Sequence, residues 1–171
     1  IGGIVGVLGT KSVLDGAEVS STASLNNTTN TPYAGTLVGC VQEGSENNTA
    51  KPVPTIVKNV SDDAAIGAVR IISNDPHHVQ FENVHLSTLD AVATHNQEHT
   101  FTLTLEGSTI GTLAVDGAVH TGMTLEISKG TVGEVVFTNV TGNNKGTTAV
   151  KFAASDGAQI GTVDATDDSN N

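Results

Sequence analysis

Histidines are the residues of this chain whose type and spacing could support chemistry. His77, His99 and His120 fall near the ends of successive blocks of about 22 residues, and His78 lies beside the first of them. If these blocks stack at the spacing of β-strands, about 4.8 Å, imidazoles on neighbouring blocks could share a transition metal. The alternative is a solvent-exposed polar corner, which Asn143 would continue in a later block. The sequence favours this corner over a metal site.

Carboxylates offer a second candidate chemistry. Asp62, Asp63, Glu106 and Asp156 lie near one corner of three blocks, where pairs could match the separation of a glycosidase acid and its partner. Aromatic residues, which would form sugar platforms, make up only 3% of the chain, so a solvated charged corner is favoured. Residues 164–171, DATDDSNN, could bind calcium, but the Gly-Gly-x-Gly-x-Asp repeat is missing. We therefore predict no cofactor, with calcium and a transition metal as the alternatives.

Familiar catalytic motifs are absent from the sequence. It holds no nucleophile elbow, phosphate loop, zinc-binding Cys/His set or dinucleotide fingerprint. Its single cysteine, Cys40, lies among apolar residues in LVGCVQ, which predicts a buried, inert thiol. The chain is therefore predicted not to be an enzyme.

Charge and hydropathy exclude two classes of partner. The net charge of −11 would repel phosphate backbones, so we expect no nucleic-acid partner. No apolar run approaches the length of a membrane-spanning helix, so the chain is predicted not to span a membrane.

Sequons provide candidate glycosylation sites if the chain is secreted. They begin at Asn26, Asn27, Asn47, Asn59 and Asn139. The chain is so rich in asparagine, serine and threonine that the excess over chance is modest.

A short phrase, apolar-Gly-x-apolar, recurs along the chain and would position these side chains. Copies begin at Ile1, Val38, Ile66, Leu89, Ile110, Val132 and Ile160, and Asp90 replaces the glycine in the fourth copy. Stacked strands place like residues in columns, which predicts an internal core ladder. Its members would be Ile66, Leu89, Ile110, Val132 and Ile160. The glycine suits either a bend with a positive φ or a close approach of two backbones.

Between the phrases, apolar and polar residues alternate as they do in half-buried strands. Alternating stretches begin at Val57, Val79, Phe101, Met123 and Val150, with spacings of 22, 22, 22 and 27 residues. This repeat, with glycine or asparagine at its bends, predicts a single-domain, all-β solenoid. Residues 57–171 are expected to form regular coils. Residues 1–56 are expected to be a less regular segment with polar loops at 24–33 and 42–54 and a candidate donor or stacking strand.

This pattern resembles the right-handed parallel β-helix of pectate-lyase-like proteins, phage tailspikes and many surface proteins. The resemblance covers residues 57–171 well and residues 1–56 poorly, and it brings no catalytic motif with it. It implies short parallel strands stacked in coils. The alternative fold is an antiparallel β-sandwich or jelly roll, which is also rich in short alternating strands.

The ends of the sequence predict assembly. The chain opens on a copy of the phrase and shows no amphipathic capping helix, whereas an open coil exposes strand edges and an apolar cross-section. We therefore expect copies to join end to end or by strand exchange. The assembly residues would be Ile1, Ile4, Val5, Val7 and Leu8.

The predicted function is that of a non-enzymatic structural subunit, secreted or at the cell surface. Its composition is similar to that of extracellular filament, sheath and surface-layer subunits of archaea and bacteria. It would self-assemble through β-strand contacts into a filament, sheath or surface array, and its partners would be other copies of itself and surface glycans. The alternative is a carbohydrate-binding or carbohydrate-active β-helix, similar to an adhesin or tailspike, with Glu106 and Asp156 as its candidate residues.

Overall fold

Thirteen β-strands account for most of the residues that the computed structural model describes. Those residues are 5–9, 11–15, 38–43, 53–60, 66, 68–71, 77–93, 99–117, 123–138 and 150–164. The strands are β1 (Val5–Gly9), β2 (Val13–Asp15), β3 (Val38–Glu43), β4 (Thr55–Lys58), β5 (Val69–Ile71), β6 (His77–Glu82), β7 (His85–Ala93), β8 (His99–Glu106), β9 (Thr109–Gly117), β10 (Met123–Ser128), β11 (Thr131–Thr138), β12 (Val150–Ser155) and β13 (Gln159–Asp164). No helix occurs within these ranges.

Successive strands alternate between two sheets, and every described pairing is parallel. The odd sheet has seven strands in the order β1-β3-β5-β7-β9-β11-β13, and the even sheet has six in the order β2-β4-β6-β8-β10-β12. In the described part of the chain neither sheet closes on itself, so β1, β13, β2 and β12 are edge strands. The prediction of an all-β fold with parallel strands is confirmed, and the antiparallel alternative is wrong.

Alternation with a period of two builds the even sheet. In β8, Phe101, Leu103 and Leu105 are fully buried, whereas the threonines between them are only half-buried. β-Branched and aromatic residues suit such a pleated surface with one buried face. Buried residues of both sheets belong to one hydrophobic cluster, so the inner faces of the sheets pack against each other. Removal of this apolar surface from water is the main stabilising contribution.

The register of the even sheet differs from the predicted alignment between β4 and β10 but agrees with it between β10 and β12, where Met123 pairs with Val150. The sequence blocks place Val79 level with Phe101, whereas the structure pairs Val79 with Leu103 and His77 with Phe101. Each of these steps is 24 residues in the numbering, as is the step from Phe101 to Leu125 in β10. A shift of two residues keeps every side chain on its predicted face, so the alternation predicts the face correctly but not the partner.

Two apolar columns run through the C-terminal part of the odd sheet. One contains Leu86, Ile110, Val132 and Ile160, and the other contains Leu89, Leu113, Val135 and Val163. Leu89 therefore differs from its predicted place, because Leu86 occupies the column that was expected to hold it. The copy in register is Leu86-Ser87-Thr88-Leu89, in which serine replaces glycine, and Leu89 closes this copy rather than opening one.

The first three strands of the odd sheet are offset from this register by two residues. Leu8 pairs with Val41, and Val41 pairs with Val69. Val69 then pairs with Ala91, two residues beyond Leu89. Ile66, which opens the copy before β5, is buried, but its place in a column is not fixed by the pairing of β5.

The copy of the phrase in β1 also differs from the predicted one. Val5 pairs with Val38, so Val5-Gly6-Val7-Leu8 aligns with Val38-Gly39-Cys40-Val41. The predicted first copy, at Ile1 and Ile4, lies outside the described residues. Of the two predicted polar loops, 24–33 lies outside the described residues, and 42–54 is described only at 42–43, which end β3, and at 53–54, which precede β4.

Candidate functional site: the glycine kinks and the sheet edges

The copies of the phrase in β9, β11 and β13 introduce a kink into each of these strands. Strict alternation would place every second residue on the inner face, yet the buried residues of β9 that open and close the phrase, Ile110 and Leu113, are three apart. Gly111 and Thr112 therefore both fall between inward-facing residues. We call this feature, with glycine at its second position, the glycine kink.

The glycine of the kink allows two backbones to approach closely. A Cβ on Gly111 would lie 2.5 Å from the carbonyl oxygen of Ser87, and a Cβ on Gly133 would lie 2.7 Å from that of Gly111. A Cβ on Gly161 would overlap the carbonyl oxygen of Gly133 in the same way. In all three strands the obstructing oxygen belongs to the preceding strand of the odd sheet. Of the two predicted reasons for glycine, close approach is the one that applies, since none of the three has a positive φ.

The two ends of the sheets carry exposed apolar side chains. At the N-terminal end, Val7 of β1 is 55% exposed and Val13 of β2 is 58% exposed. At the other end, Val163 is 50% exposed although it belongs to the same column as the fully buried Leu113 and Val135. The described strand order places no further strand beyond β13, so the apolar column is open at that end.

The predicted assembly residues divide into three groups. Ile1 and Ile4 lie outside the described residues. Val5 lies in the edge strand β1, where its backbone pairs with that of Val38. Val7 is exposed and Leu8 is buried, which places them on opposite faces of β1.

Residues with a left-handed backbone turn the chain from the even sheet into the odd sheet. Asn59 and Asn83, with φ of 57° and 52°, and Gly107, with φ of 59°, occupy equivalent places after β4, β6 and β8. Asparagine tolerates this conformation better than most residues with a side chain. The backbone N–H of Asn59 donates to Glu82 and that of Asn83 donates to Glu106, which ties each turn to the next.

Side chains extend this ladder of turns. The Asn83 amide donates to Asn59 Oδ1 over 3.2 Å, and the Asn59 amide donates to Asp15 Oδ1 over 2.8 Å. Lys58 Nζ lies 3.2 Å from Asp15 Oδ2. The Asn59 amide and the Lys58 ammonium hold the pKa of the Asp15 carboxyl below its ordinary value.

Glu106 forms an ion pair on the same corner. Lys129 Nζ donates to Glu106 Oε1 over 2.7 Å, and this hydrogen bond raises the pKa of Lys129. Asp156, predicted to lie near this corner, follows β12 in a turn with φ of 53°. In the even sheet β10 lies between β8 and β12, so Glu106 and Asp156 do not belong to adjacent strands. Asp62 and Asp63 lie outside the described residues.

A buried serine, which no pattern in the sequence marks, stabilises the turn after β8. Ser108 is 2% exposed; its hydroxyl accepts a hydrogen bond from the Val84 N–H over 3.0 Å and lies 2.9 Å from the carbonyl oxygen of Phe81. Serine is common in turns, so its residue type gives no sign that this one is buried. Only the stacking of two turns reveals that its hydroxyl satisfies groups of the turn before it.

The register does not bring the candidate histidines His77 and His99 level with each other. His77 is buried and pairs with Phe101, whereas His99 pairs with Met123. The two histidines are therefore out of register by two residues, and His120 lies outside the described residues. His78 lies on the other face, where its Nε2 is 3.0 Å from Thr104 Oγ1. Within the described ranges no group of three or more His, Cys, Asp or Glu residues is placed to hold a metal ion.

Asn59 is the one predicted glycosylation site that falls within the described residues. It is exposed, and its Nδ2, the atom to which a glycan would be attached, donates to Asp15. The other four sequons lie outside. Cys40 lies in β3 opposite Val7, and the burial of its thiol is likewise outside what is described.

Comparison with protein-family models, curated proteins and solved structures gave no match. No helix in the described ranges is long and apolar enough to cross a membrane. The candidate site is therefore defined by the geometry of the kinks and the sheet edges alone.

Proposed function

We propose that this chain is a non-enzymatic structural subunit that self-assembles through β-strand contacts into a filament, sheath or surface array. In this proposal the two sheets are flanks of a β-solenoid, and the stack of strands continues from one copy into the next. The assembly is secreted or at the cell surface.

The open apolar column at Val163 carries the proposal. Val163 faces inward like Leu113 and Val135, yet half of its surface is exposed because no described strand follows β13. A strand added to β13 would cover this side chain and pair the free backbone groups of the edge. The edge strands β1 and β2 of another copy supply such a surface, since both sheets are parallel and both begin at that end.

Contacts between opposite ends favour an extended assembly. The end with β12 and β13 differs from the end with β1 and β2, so their contact is heterologous and repeats without closing unless the rotation between copies forms a ring. A strongly acidic surface, with a net charge of −11, keeps the sides of such an assembly soluble. The proposal of an extracellular location rests on composition, since only seven lysines and arginines are available to common proteases.

Sedimentation velocity of the wild-type protein and two matched variants tests the proposal. Val163→Lys places a charge in the open column, whereas Thr88→Lys places the same charge on an exposed residue of β7, inside the odd sheet and away from its edges. Burial of a valine contributes roughly 1.5 kcal/mol or more, so Val163→Lys should raise the concentration needed for assembly by about ten-fold or more. Thr88→Lys should assemble like the wild type. Discrete monomers at all wild-type concentrations would contradict the proposed function.

A further inference from the structure

Gly6 in β1 occupies the glycine position of the phrase, but no described strand precedes β1 in the odd sheet. In β9, β11 and β13 the kink glycine leaves room for a carbonyl oxygen of the preceding strand, supplied by Ser87, Gly111 and Gly133 in turn. The direction is the same in each case. A kink glycine therefore leaves room for a carbonyl oxygen of the preceding strand in the odd sheet. The following strand does not require a glycine at this position.

β1 carries the same phrase in the same pairing but has no described predecessor. Val5 and Leu8 pair with Val38 and Val41, so Gly6 lies opposite Gly39. β1 is the first strand of the odd sheet. In the described strand order, therefore, no preceding strand supplies a carbonyl oxygen to Gly6.

We propose that Gly6 accommodates the carbonyl oxygen of Gly161 in a second copy of this chain. The segment Val5-Gly6-Val7-Leu8 then lies parallel to Ile160-Gly161-Thr162-Val163 of the neighbouring copy, in the same phrase register that joins β11 to β13. Leu8 covers the exposed Val163. This inference rests on the proposed function, in which copies join at their ends, and adds the residues and the register of the junction.

The proposed junction has fewer strand contacts in the even sheet than in the odd sheet. The odd sheet has seven strands and the even sheet six, so continuing both sheets leaves one strand position unfilled in the even sheet at each junction. Fewer backbone hydrogen bonds form there than between successive strands of one chain. The junction is therefore the first contact to break on dilution.

Three alanine variants separate the role of Gly6 from ordinary stability. Gly133→Ala should lower the melting temperature of the monomer, because its Cβ meets Gly111 within the chain. Gly9→Ala is the control, since nothing lies within 4 Å of its Cβ position. Gly6→Ala should leave the melting temperature of the monomer within about 2 °C of that of the wild type but abolish assembly.

Two outcomes of this comparison would overturn the inference. One is a Gly6→Ala monomer destabilised as much as Gly133→Ala, which would show that another part of the same chain covers β1. The other is assembly of Gly6→Ala at the wild-type concentration.

Disulfide trapping tests the register directly. In a Cys40→Ala background, which removes the thiol opposite Val7, single variants Val7→Cys and Thr162→Cys are mixed and oxidised. The proposed register places their Cα atoms about 4.8 Å apart, within the range of a disulfide. The control replaces Thr162→Cys by Gln159→Cys, which lies three residues away on the same strand, at about 11 Å from Val7.

The expected result is a covalent dimer with Thr162→Cys and none with Gln159→Cys. If the wild type assembles but the dimer forms with Gln159→Cys, or with neither, the register is wrong while the proposed function stands. If the wild type stays monomeric at all concentrations, the proposed function fails and this inference fails with it.

Discussion

At Gly133 two neighbouring backbones come too close for any side chain. Gly133→Ala would force its Cβ against the Gly111 carbonyl oxygen, 2.7 Å away, and both groups belong to the backbone. Because such crowding can be relieved only by shifting a strand, we expect a loss of about 1–3 kcal/mol in the free energy of unfolding. Urea denaturation measures this loss. Gly9→Ala, which meets no atom within 4 Å, should stay close to the wild type, and equal losses in the two variants would contradict the kink geometry.

Ser108 shows that one buried hydroxyl can determine the stability of a turn. Ser108→Ala leaves the Val84 N–H, which donates to the hydroxyl, without its acceptor. An unsatisfied buried donor costs about 1–3 kcal/mol, so the melting temperature should fall by several degrees. Ser87→Ala, at an exposed site in β7, is the matched control and should show no fall. A stable Ser108→Ala protein would mean that water or a neighbour replaces the hydroxyl.

Single residues show how far the sequence predicts this site. The glycine of the phrase predicts a positive φ or a close approach, and only the neighbouring strand decides between the two. Leu89 shows the corresponding limit for the core, because in the sequence it can open the pair Leu89/Val92 or close the pair Leu86/Leu89, and only the stacking selects the second. Ser87 could not be identified as a kink residue at all, since it lacks the glycine that marks the other copies.

The left-handed turns between the sheets require residues that tolerate a positive φ. Asn83 has φ of 52°, and Gly107 occupies the equivalent place one turn later. Asn83→Gly should therefore be tolerated within about 0.5 kcal/mol, whereas Asn83→Val should cost about 1–2 kcal/mol or more. Chemical denaturation of the two variants separates two contributions to stability: the backbone conformation of Asn83 and the exposed hydrogen bond from its side chain to Asn59. Equal losses in both would show that the hydrogen bond to Asn59 dominates.

The same corner predicts an acid-dependent contribution to stability. The Asn59 amide and Lys58 hold the pKa of Asp15 below its ordinary value, so the folded state binds this proton more weakly than the unfolded state. The stabilisation is therefore present above the pKa of an unfolded aspartate, about 3.9, and is lost as pH falls through the lower folded value. Asp15→Asn should lower the melting temperature slightly at pH 7, and the difference should vanish in strong acid. A difference that grows on acidification would contradict this sign.

The register of the strands marks the limit of prediction at the scale of elements. Alternation in the sequence identifies the strands and their buried faces, as Phe101 and Leu103 show. It does not identify the partner, because a slip of two residues preserves every face. β8 continues for two residues, Leu105 and Glu106, beyond the last residue that pairs with β10, so the step is 24 residues from β8 to β10 but 22 from β9 to β11. The sequence therefore predicts the architecture better than its exact alignment.

In the proposed assembly the odd sheet continues from copy to copy, and the even sheet continues with one strand position unfilled at each junction. Because all described strands are parallel and the two ends differ, the edge formed by β12 and β13 of one copy can contact the edge formed by β1 and β2 of the next. The charge of −11 opposes this contact at low ionic strength, so salt should promote assembly by screening the repulsion between copies.

The axial repeat of the assembled protein, measured by electron microscopy, tests this account most directly. Seven strands of the odd sheet at about 4.8 Å each give a predicted repeat of about 34 Å per copy along the stack. Filaments or arrays with this repeat, formed by the wild type and lost in Gly6→Ala, are the predicted result. Only discrete particles of monomer size at every concentration, or an assembly with an unrelated repeat, would contradict it.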